Sequence, residues 1–197
     1  MNYLEESCTF HSLNEYLLTN CNPFDCDHTD LNDFFQNDAI NYSNQLLGKT
    51  YFFIDNKDNK SIVCAFTIAN DSIKASLLTN ARKKKVSKQI PHSKTSRSYP
   101  AVLIGRLGVN TNYKNQGIGK DLMDFIKSWF IDSQNKTGCR FIVVDAYNEE
   151  IPIKYYVACG FEFLFSLEDQ EKHYYNDTSS EKLKTRLMFF DLIVLTK

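Results

Sequence analysis

The stretch from Pro100 to Gly119 constrains this 197-residue chain more than any other. Ala101 to Val109 is almost entirely apolar, the pattern of a strand buried on both faces. Lys114-Asn-Gln-Gly-Ile-Gly119 follows, and then a helical pattern with Ile118, Leu122, Phe125, Ile126, Trp129 and Phe130 on one side. Gly138 ends that segment, and Cys139 to Tyr147 reads as a second buried strand. A second helix is expected over about Glu149 to Cys159, closed by Gly160, with a strand from Phe161 to Phe165. Strand, helix, strand, helix, strand over 101–165 predicts an α/β unit with at least one parallel pair.

The flanking segments are shorter and more mixed. Residues 1–20 suggest a strand and then a helical turn around Leu13, Tyr16 and Leu17. From Asp30 a helix is expected, with Leu31, Phe34, Phe35, Ile40 and Tyr42 fitting the 3.6 period loosely and Gly48 ending it. Thr50–Asp55 and Ser61–Ala69 read as the arms of a hairpin around a polar turn. A polar loop is expected at 166–183 and a last strand at Thr185–Leu195, whose Phe189 and Phe190 suit either a core or a subunit interface, so a homodimer stays open.

Charge is distributed unevenly. The formal total is −1, yet residues 71–99 carry Lys74, Arg82, Lys83, Lys84, Lys85, Lys88, Lys94 and Arg97 against Asp71 alone, a net of +7. A neutral total therefore does not exclude a polyanionic partner. Ile73, Leu77, Leu78 and Ala81 place a helix in the middle of this run, with the rest a loop holding Pro91 and His92. No apolar stretch approaches the roughly 20 residues of a membrane helix, and the start lacks a secretory pattern, so a cytoplasmic protein without a membrane partner is expected. Six cysteines form no Cys-x-x-Cys; Cys21, Cys26 and His28 lack a matched second pair, and no metal is expected.

The turn at 114–119 has the chemistry of a phosphate site. Two glycines let the backbone turn tightly, the helix start presents N–H groups and the positive end of its dipole, and Lys114 and Lys120 add charge. It fits neither the dinucleotide fingerprint nor the Walker pattern. What remains is phosphate binding without nucleotide hydrolysis.

With Leu107-Gly-Val109 leading into Lys114-Asn-Gln-Gly-Ile-Gly119, and Tyr156-Val-Ala-Cys-Gly-Phe161 some 40 residues on, the chain resembles the GNAT acetyltransferase superfamily. Lys114 replaces the family's usual Arg or Gln and keeps the charge. The resemblance implies one domain over 1–197 with 71–99 as a basic insertion. Its fold would be a twisted mixed sheet flanked by helices, the two central parallel strands splayed into a V. It implies acetyl-CoA as donor, with the pyrophosphate on Lys114, Asn115, Gln116, Gly117, Ile118, Gly119 and Lys120. The pantetheine arm would run along the backbone at Leu107 and Val109 and reach Asn148. Tyr156 matches the family's general acid. The family's strand glutamate is missing, Gly105 and Arg106 standing there, which leaves Asp145, Glu149 or an ordered water as base.

Further upstream, Phe24-Asp-Cys26, Leu31-Asn32, Phe34-Phe35 and Ala39, with Ile104-Gly-Arg-Leu-Gly-Val109, resemble GNAT toxins of toxin–antitoxin modules. That likeness implies the α-amine of aminoacyl-tRNA as acceptor and a small antitoxin as partner. Lys83, Lys84, Lys85 and Arg106 are the acceptor-side candidates. The primary expectation is an acetyl-CoA-dependent N-acetyltransferase acting on a primary amine. The alternatives are the tRNA-directed toxin and a non-catalytic acetyl-CoA-binding module.

Overall fold

In the computed structural model, which describes residues 3–91 and 96–196, a short helix α1 (Tyr3–Ser7) turns directly into strand β1 (Cys8–Ser12). Helix α2 (Glu15–Asn20) starts where the Asn14 side chain accepts the Leu17 N–H at 2.9 Å. Helices α3 (Thr29–Asp33) and α4 (Ala39–Asn44) are joined by a π-helical turn at Phe34–Asp38. That turn explains the loose period. Ala39 N–H donates to Phe34 O five residues back, so Phe34 and Ala39 share the buried side although their spacing does not fit an α-helix. The helix ends at Asn44 rather than at Gly48.

The hairpin forms as expected from β2 (Lys49–Asp55) and β3 (Ile62–Ile73), antiparallel, with β1 antiparallel on the other side of β2. Asp58 organises the connecting turn by accepting the N–H groups of Lys60 and Ser61 at 2.9 Å. Helix α5 (Asn80–Val86) follows, then β4 (Tyr99–Val109), α6 (Ile118–Ile131), β5 (Phe141–Tyr147), α7 (Glu150–Ala158), the two-residue β6 (Glu162–Phe163), α8 (Glu168–Tyr175) and β7 (Thr185–Asp191). The seven strands form one mixed sheet in the order β1-β2-β3-β4-β5-β7-β6, flanked by helices, with β4 and β5 parallel.

Two compact units can be described separately. The first holds the residues up to Ala69 together with Ile104–Trp129. In it Phe24, Phe34, Phe35 and Ala39 pack with Phe52, Ile54, Ile62 and Ala65. Phe10, Tyr51 and Phe53 meet Phe125 and Trp129 of α6, the Tyr51 and Trp129 rings being edge to face at 4.9 Å.

The second unit holds Asn70–Leu103 and the residues from Phe130 onward. Its core gathers Ile73, Leu78, Val86, Tyr99, Ala101, Phe141, Val143, Phe165, Tyr174, Leu187 and Phe189. Phe189 and Phe190 are buried, Phe189 stacking edge to face on Phe141 at 5.9 Å. Arg140 grips Asp191 with both Nε and Nη2, at 2.5 and 2.9 Å, locking the start of β5 to the end of β7.

Three expectations are corrected here. The helix of the basic run lies at 80–86, not around 73–81, because Ile73 still belongs to β3 and Thr79 caps the helix by accepting from Arg82 N–H. The strand at 161–165 shrinks to Glu162–Phe163 at the sheet edge beside β7, and β7 itself ends at Asp191, with a 3₁₀ turn over 192–195. The polar loop at 166–183 contains α8, whose acidic first turn and basic last turn suit the helix dipole. Lys94 and His92 lie outside the described residues.

Helix α8 is held by a buried pair. Glu171 accepts from Arg186 Nε at 2.8 Å and from Leu187 N–H, and Arg186 Nη2 donates to Phe165 O at 3.1 Å. Removing one partner of a buried pair strands the other charge. Glu171→Ala is therefore expected to cost about 3–5 kcal/mol, read as a shift in the urea midpoint. Glu171→Gln, which keeps an acceptor for Leu187, should cost clearly less.

Candidate active site

Strand β4 reaches its end under an unusually close contact. A Cβ on Gly108 would lie 3.1 Å from Cys26 Sγ and 3.2 Å from the Phe24 ring, so the Phe24-Asp-Cys26 segment lies tightly against this glycine. Asn32 secures the segment by accepting Cys26 N–H at 2.9 Å, and Gln36 Nε2 donates to Phe24 O at 2.8 Å. Beside it Arg106 lays its guanidinium over the Phe34 ring, 3.7 Å from the centroid. Leu107 and Val109 are half-buried.

Past β4 the chain is tethered at each step. Asn110 N–H donates to Val63 O at 2.9 Å and Thr111 N–H to Asp25 O at 2.8 Å, and the Asn110 side chain caps a 3₁₀ turn at Thr111–Tyr113. Asn115 and Gly117 then adopt positive φ, 62° and 82°. Lys120 and Asp121 N–H both turn back to Gly117 O, so the amides of Gln116, Gly117 and Ile118 stand ahead of the first helical bonds of α6. A Cβ on Gly117 would meet nothing within 4 Å, so glycine serves the backbone conformation here rather than the space. Lys114 reaches Asp27 at 3.4 Å, and Lys114, Asn115, Gln116, Gly117 and Lys120 are all exposed. An exposed helix start with open amides, two lysines and a bare glycine surface fits a diphosphate.

These residues, with Arg106, belong to the first unit; Tyr156, Asn148, Lys83, Lys84 and Lys85 belong to the second. The Tyr156 ring on α7 packs against Tyr155 and Phe161, centroids 5.0 and 5.5 Å away. Burial pushes its phenol well above the ordinary value, and the charges of Cys159, Asp145 and Tyr147 add to the rise, so it stays protonated at neutral pH. Asp145, in the otherwise buried run of β5, is exposed and accepts from the Tyr175 hydroxyl at 3.3 Å. Although its surface is exposed, the protein atoms packed around the carboxyl raise it, and neighbouring Asp71 adds to the effect. Glu149 stands exposed before α7.

Asn148 is committed elsewhere. Its Nδ2 donates to Glu168 Oε1 at 3.0 Å and to Leu183 O at 2.9 Å, and its N–H to Lys184 O, so both amide hydrogens hold the segment that contains α8. On α5, Lys85 pairs with Glu162, while Lys83 and Lys84 stand in the last turn of the helix and Val86 is buried. Among the described residues no group of three or more His, Cys, Asp or Glu is placed to hold a metal ion, and no helix is long and apolar enough to cross a membrane. The Tyr175–Asp145 and Tyr113–Asp55 contacts escape sequence reasoning, since the partners lie 30 and 58 positions apart.

Comparison with known proteins identifies the family and the fold. The model of the acetyltransferase (GNAT) family matches residues 15–161, and the chain belongs to that family. It is accordingly an N-acetyltransferase, an acyltransferase whose donor is acetyl-CoA. Its fold is similar to a tyrosine-to-phenylalanine mutant of KacT (TM-score 0.66, 15% identity, 97% of this chain and 98% of that one). It is also similar to AtaT complexed with acetyl-methionyl-tRNAfMet (TM-score 0.66, 18% identity, 96% and 97%). A third similar structure is an AtaT mutant toxin bound to the C-terminus of the antitoxin AtaR and acetyl-CoA (TM-score 0.60, 15% identity, 98% and 100%). At these identities the likeness is one of fold.

The positive φ at Gly117 yields a direct check. Gly117→Ala is expected to cost about 1–2 kcal/mol of stability through backbone strain alone. Gly117→Asn should recover part of that loss, since asparagine tolerates the left-handed region better. Thermal unfolding of the two variants separates strain from crowding.

Proposed function

We propose that this chain transfers acetyl to the α-amine of aminoacyl-tRNA and acts as the toxin of a toxin–antitoxin pair in the cytoplasm. The observation that carries the reading is the likeness to AtaT complexed with acetyl-methionyl-tRNAfMet, which runs over nearly all of both chains. The Phe24-x-Cys26 segment on Gly108, through which the sequence resembles such toxins, supports it. In this reading 1–197 acts as one acetyltransferase domain with 71–99 as its added piece. A small antitoxin and a second copy of the chain are its protein partners.

Acetyl-CoA supplies the activated acyl carbon. The amides of 116–119, with Lys114, Asn115 and Lys120, hold its diphosphate. The backbone at Leu107 and Val109 pairs with the pantetheine arm as an added strand would, and an N–H near Val109 polarises the thioester carbonyl. The neutral amine attacks that carbon; the C–N bond forms as the C–S bond breaks. Tyr156 gives its proton to the departing sulfur, and Asp145 takes the surplus proton from the amine. Asp145 is preferred to Glu149 because the Tyr175 hydroxyl fixes one of its oxygens and its carboxyl is raised. Asn148 supports this arm of the site by holding the segment around α8, its amide oxygen being what remains for the cofactor. Lys83 and Lys84 meet tRNA phosphates, Lys85 joins them on leaving Glu162, and Arg106 orients the acceptor end.

Three outcomes are expected with charged tRNA and labelled acetyl-CoA. Tyr156→Phe should lower kcat by about 10²-fold or more while acetyl-CoA affinity changes little. Neutralising Lys83 and Lys84 should raise KM for tRNA and flatten its salt dependence. The rate should fall as pH drops through the raised Asp145 carboxyl, because only the ionised form accepts a proton, and Asp145→Asn should remove that limb. Transfer to simple amines with none to aminoacyl-tRNA would overturn the acceptor assignment.

A further inference from the structure

At the far end of the β2–β3 hairpin a carboxylate is buried where an apolar side chain would close the strand more cheaply. Asp55 follows the apolar run Tyr51–Ile54 and is 4% exposed. It takes part in none of the ion pairs found among the described residues, and the cation that acts on it is Lys57 of its own turn. Its charge is met by three donors instead. Oδ1 accepts Lys57 N–H at 2.9 Å, and Oδ2 accepts the hydroxyls of Tyr3 at 2.8 Å and Tyr113 at 2.9 Å. Burial works against the charged form, yet these donors hold the carboxyl below the usual carboxylate range, and Tyr113 is pushed up to about 12. The carboxylate is ionised and both phenols are protonated at every pH of biological interest.

The two tyrosines sit in different places. Tyr3 belongs to α1, and its ring lies 6.1 Å from that of Tyr113, a contact that Tyr3→Phe keeps. Tyr113 is the last residue of the 3₁₀ turn, directly before Lys114 and the positive-φ turn at 115–117. The main chain at 110 and 111 is tied to Val63 O and Asp25 O, but past Tyr113 the next side-chain ties are the exposed contacts Lys114–Asp27 and Gln116–Asn112. Among the described residues, the part-buried bond from the Tyr113 hydroxyl to Asp55 is the side-chain tie directly before the turn.

We infer that Asp55, through Tyr113, is a positioning device that presets the 114–119 turn for the diphosphate of acetyl-CoA. The inference rests on the proposed role of that turn and adds a residue outside the family's motifs. A preset turn loses less freedom on binding, so the effect belongs to the diphosphate part of the donor and not to the transfer step.

The test uses the full chain and two ligands, acetyl-CoA and S-acetyl-pantetheine, which lacks the diphosphate. Tyr113→Phe keeps the ring and removes the hydroxyl; Tyr3→Phe removes the other hydroxyl from the same oxygen and controls for stability. Tyr113→Phe should weaken acetyl-CoA binding about 3–10-fold, the yield of one hydrogen bond, with S-acetyl-pantetheine binding and kcat at saturating donor unchanged. Asp55→Asn should weaken acetyl-CoA to a similar or greater extent, and Tyr3→Phe should leave its affinity unaltered. Equal losses from Tyr3→Phe and Tyr113→Phe, or none from Tyr113→Phe, would overturn the inference. Wild-type protein that binds both ligands equally tightly would instead overturn the diphosphate role of the turn, and the inference with it.

Discussion

The contact between Phe24, Cys26 and Gly108 is the one on which the first unit turns. A central strand ordinarily presents side chains along its whole length; here one residue without a side chain admits a loop against the backbone. Once that loop is seated, Asn32 holds Cys26, Asp25 O receives Thr111 N–H, and Asp27 comes within reach of Lys114. The helical segment from Thr29 to Asn44 and the turn after β4 are thereby referenced to the same few residues. A Cβ at 108 would press on Cys26 and Phe24 at 3.1 and 3.2 Å, so the loop would have to give by a few tenths of an ångström.

The parts of the fold governed by burial were legible in the chain. Strands β4 and β5 are largely apolar runs interrupted by Arg106 and Asp145, α6 carries a clean stripe, and α7 closes at Gly160 as expected. The parts that were not legible have identifiable reasons. Phe34 and Ala39 are five residues apart, a spacing that only a π turn places on one side. Helix α8 buries just Glu171 and Tyr174, and the glutamate is buried because Arg186 meets it from β7, a pairing no local pattern announces. Ile73 looks like the first apolar position of a helix, yet it ends β3 inside the second core.

The candidate site divides in the same way. The turn at 114–119 declares itself through glycine spacing and flanking lysines, because its chemistry lies in the backbone. Side chains whose roles depend on distant partners do not. Asn148 reads as a free polar group at a strand end, but its amide is spent on Glu168 and Leu183. Tyr113 reads as an ordinary turn residue until Asp55 is found beneath it. The basic run follows suit: its charge was evident, whereas the engagement of Lys85 with Glu162 and the seating of α5 on Val86 emerge only in three dimensions. In the proposed function, fixed backbone geometry carries the donor chemistry, and side chains collected from far along the chain tune it.

Amide hydrogen exchange resolved at single residues, with and without acetyl-CoA, tests the central claim most directly. If the turn receives the diphosphate, the amides of Gln116, Gly117, Ile118 and Gly119 should slow markedly on binding, while those of the Asp55–Ser61 hairpin turn keep their rates. Acetyl-CoA that binds yet leaves 116–119 exchanging as fast as before would contradict the account.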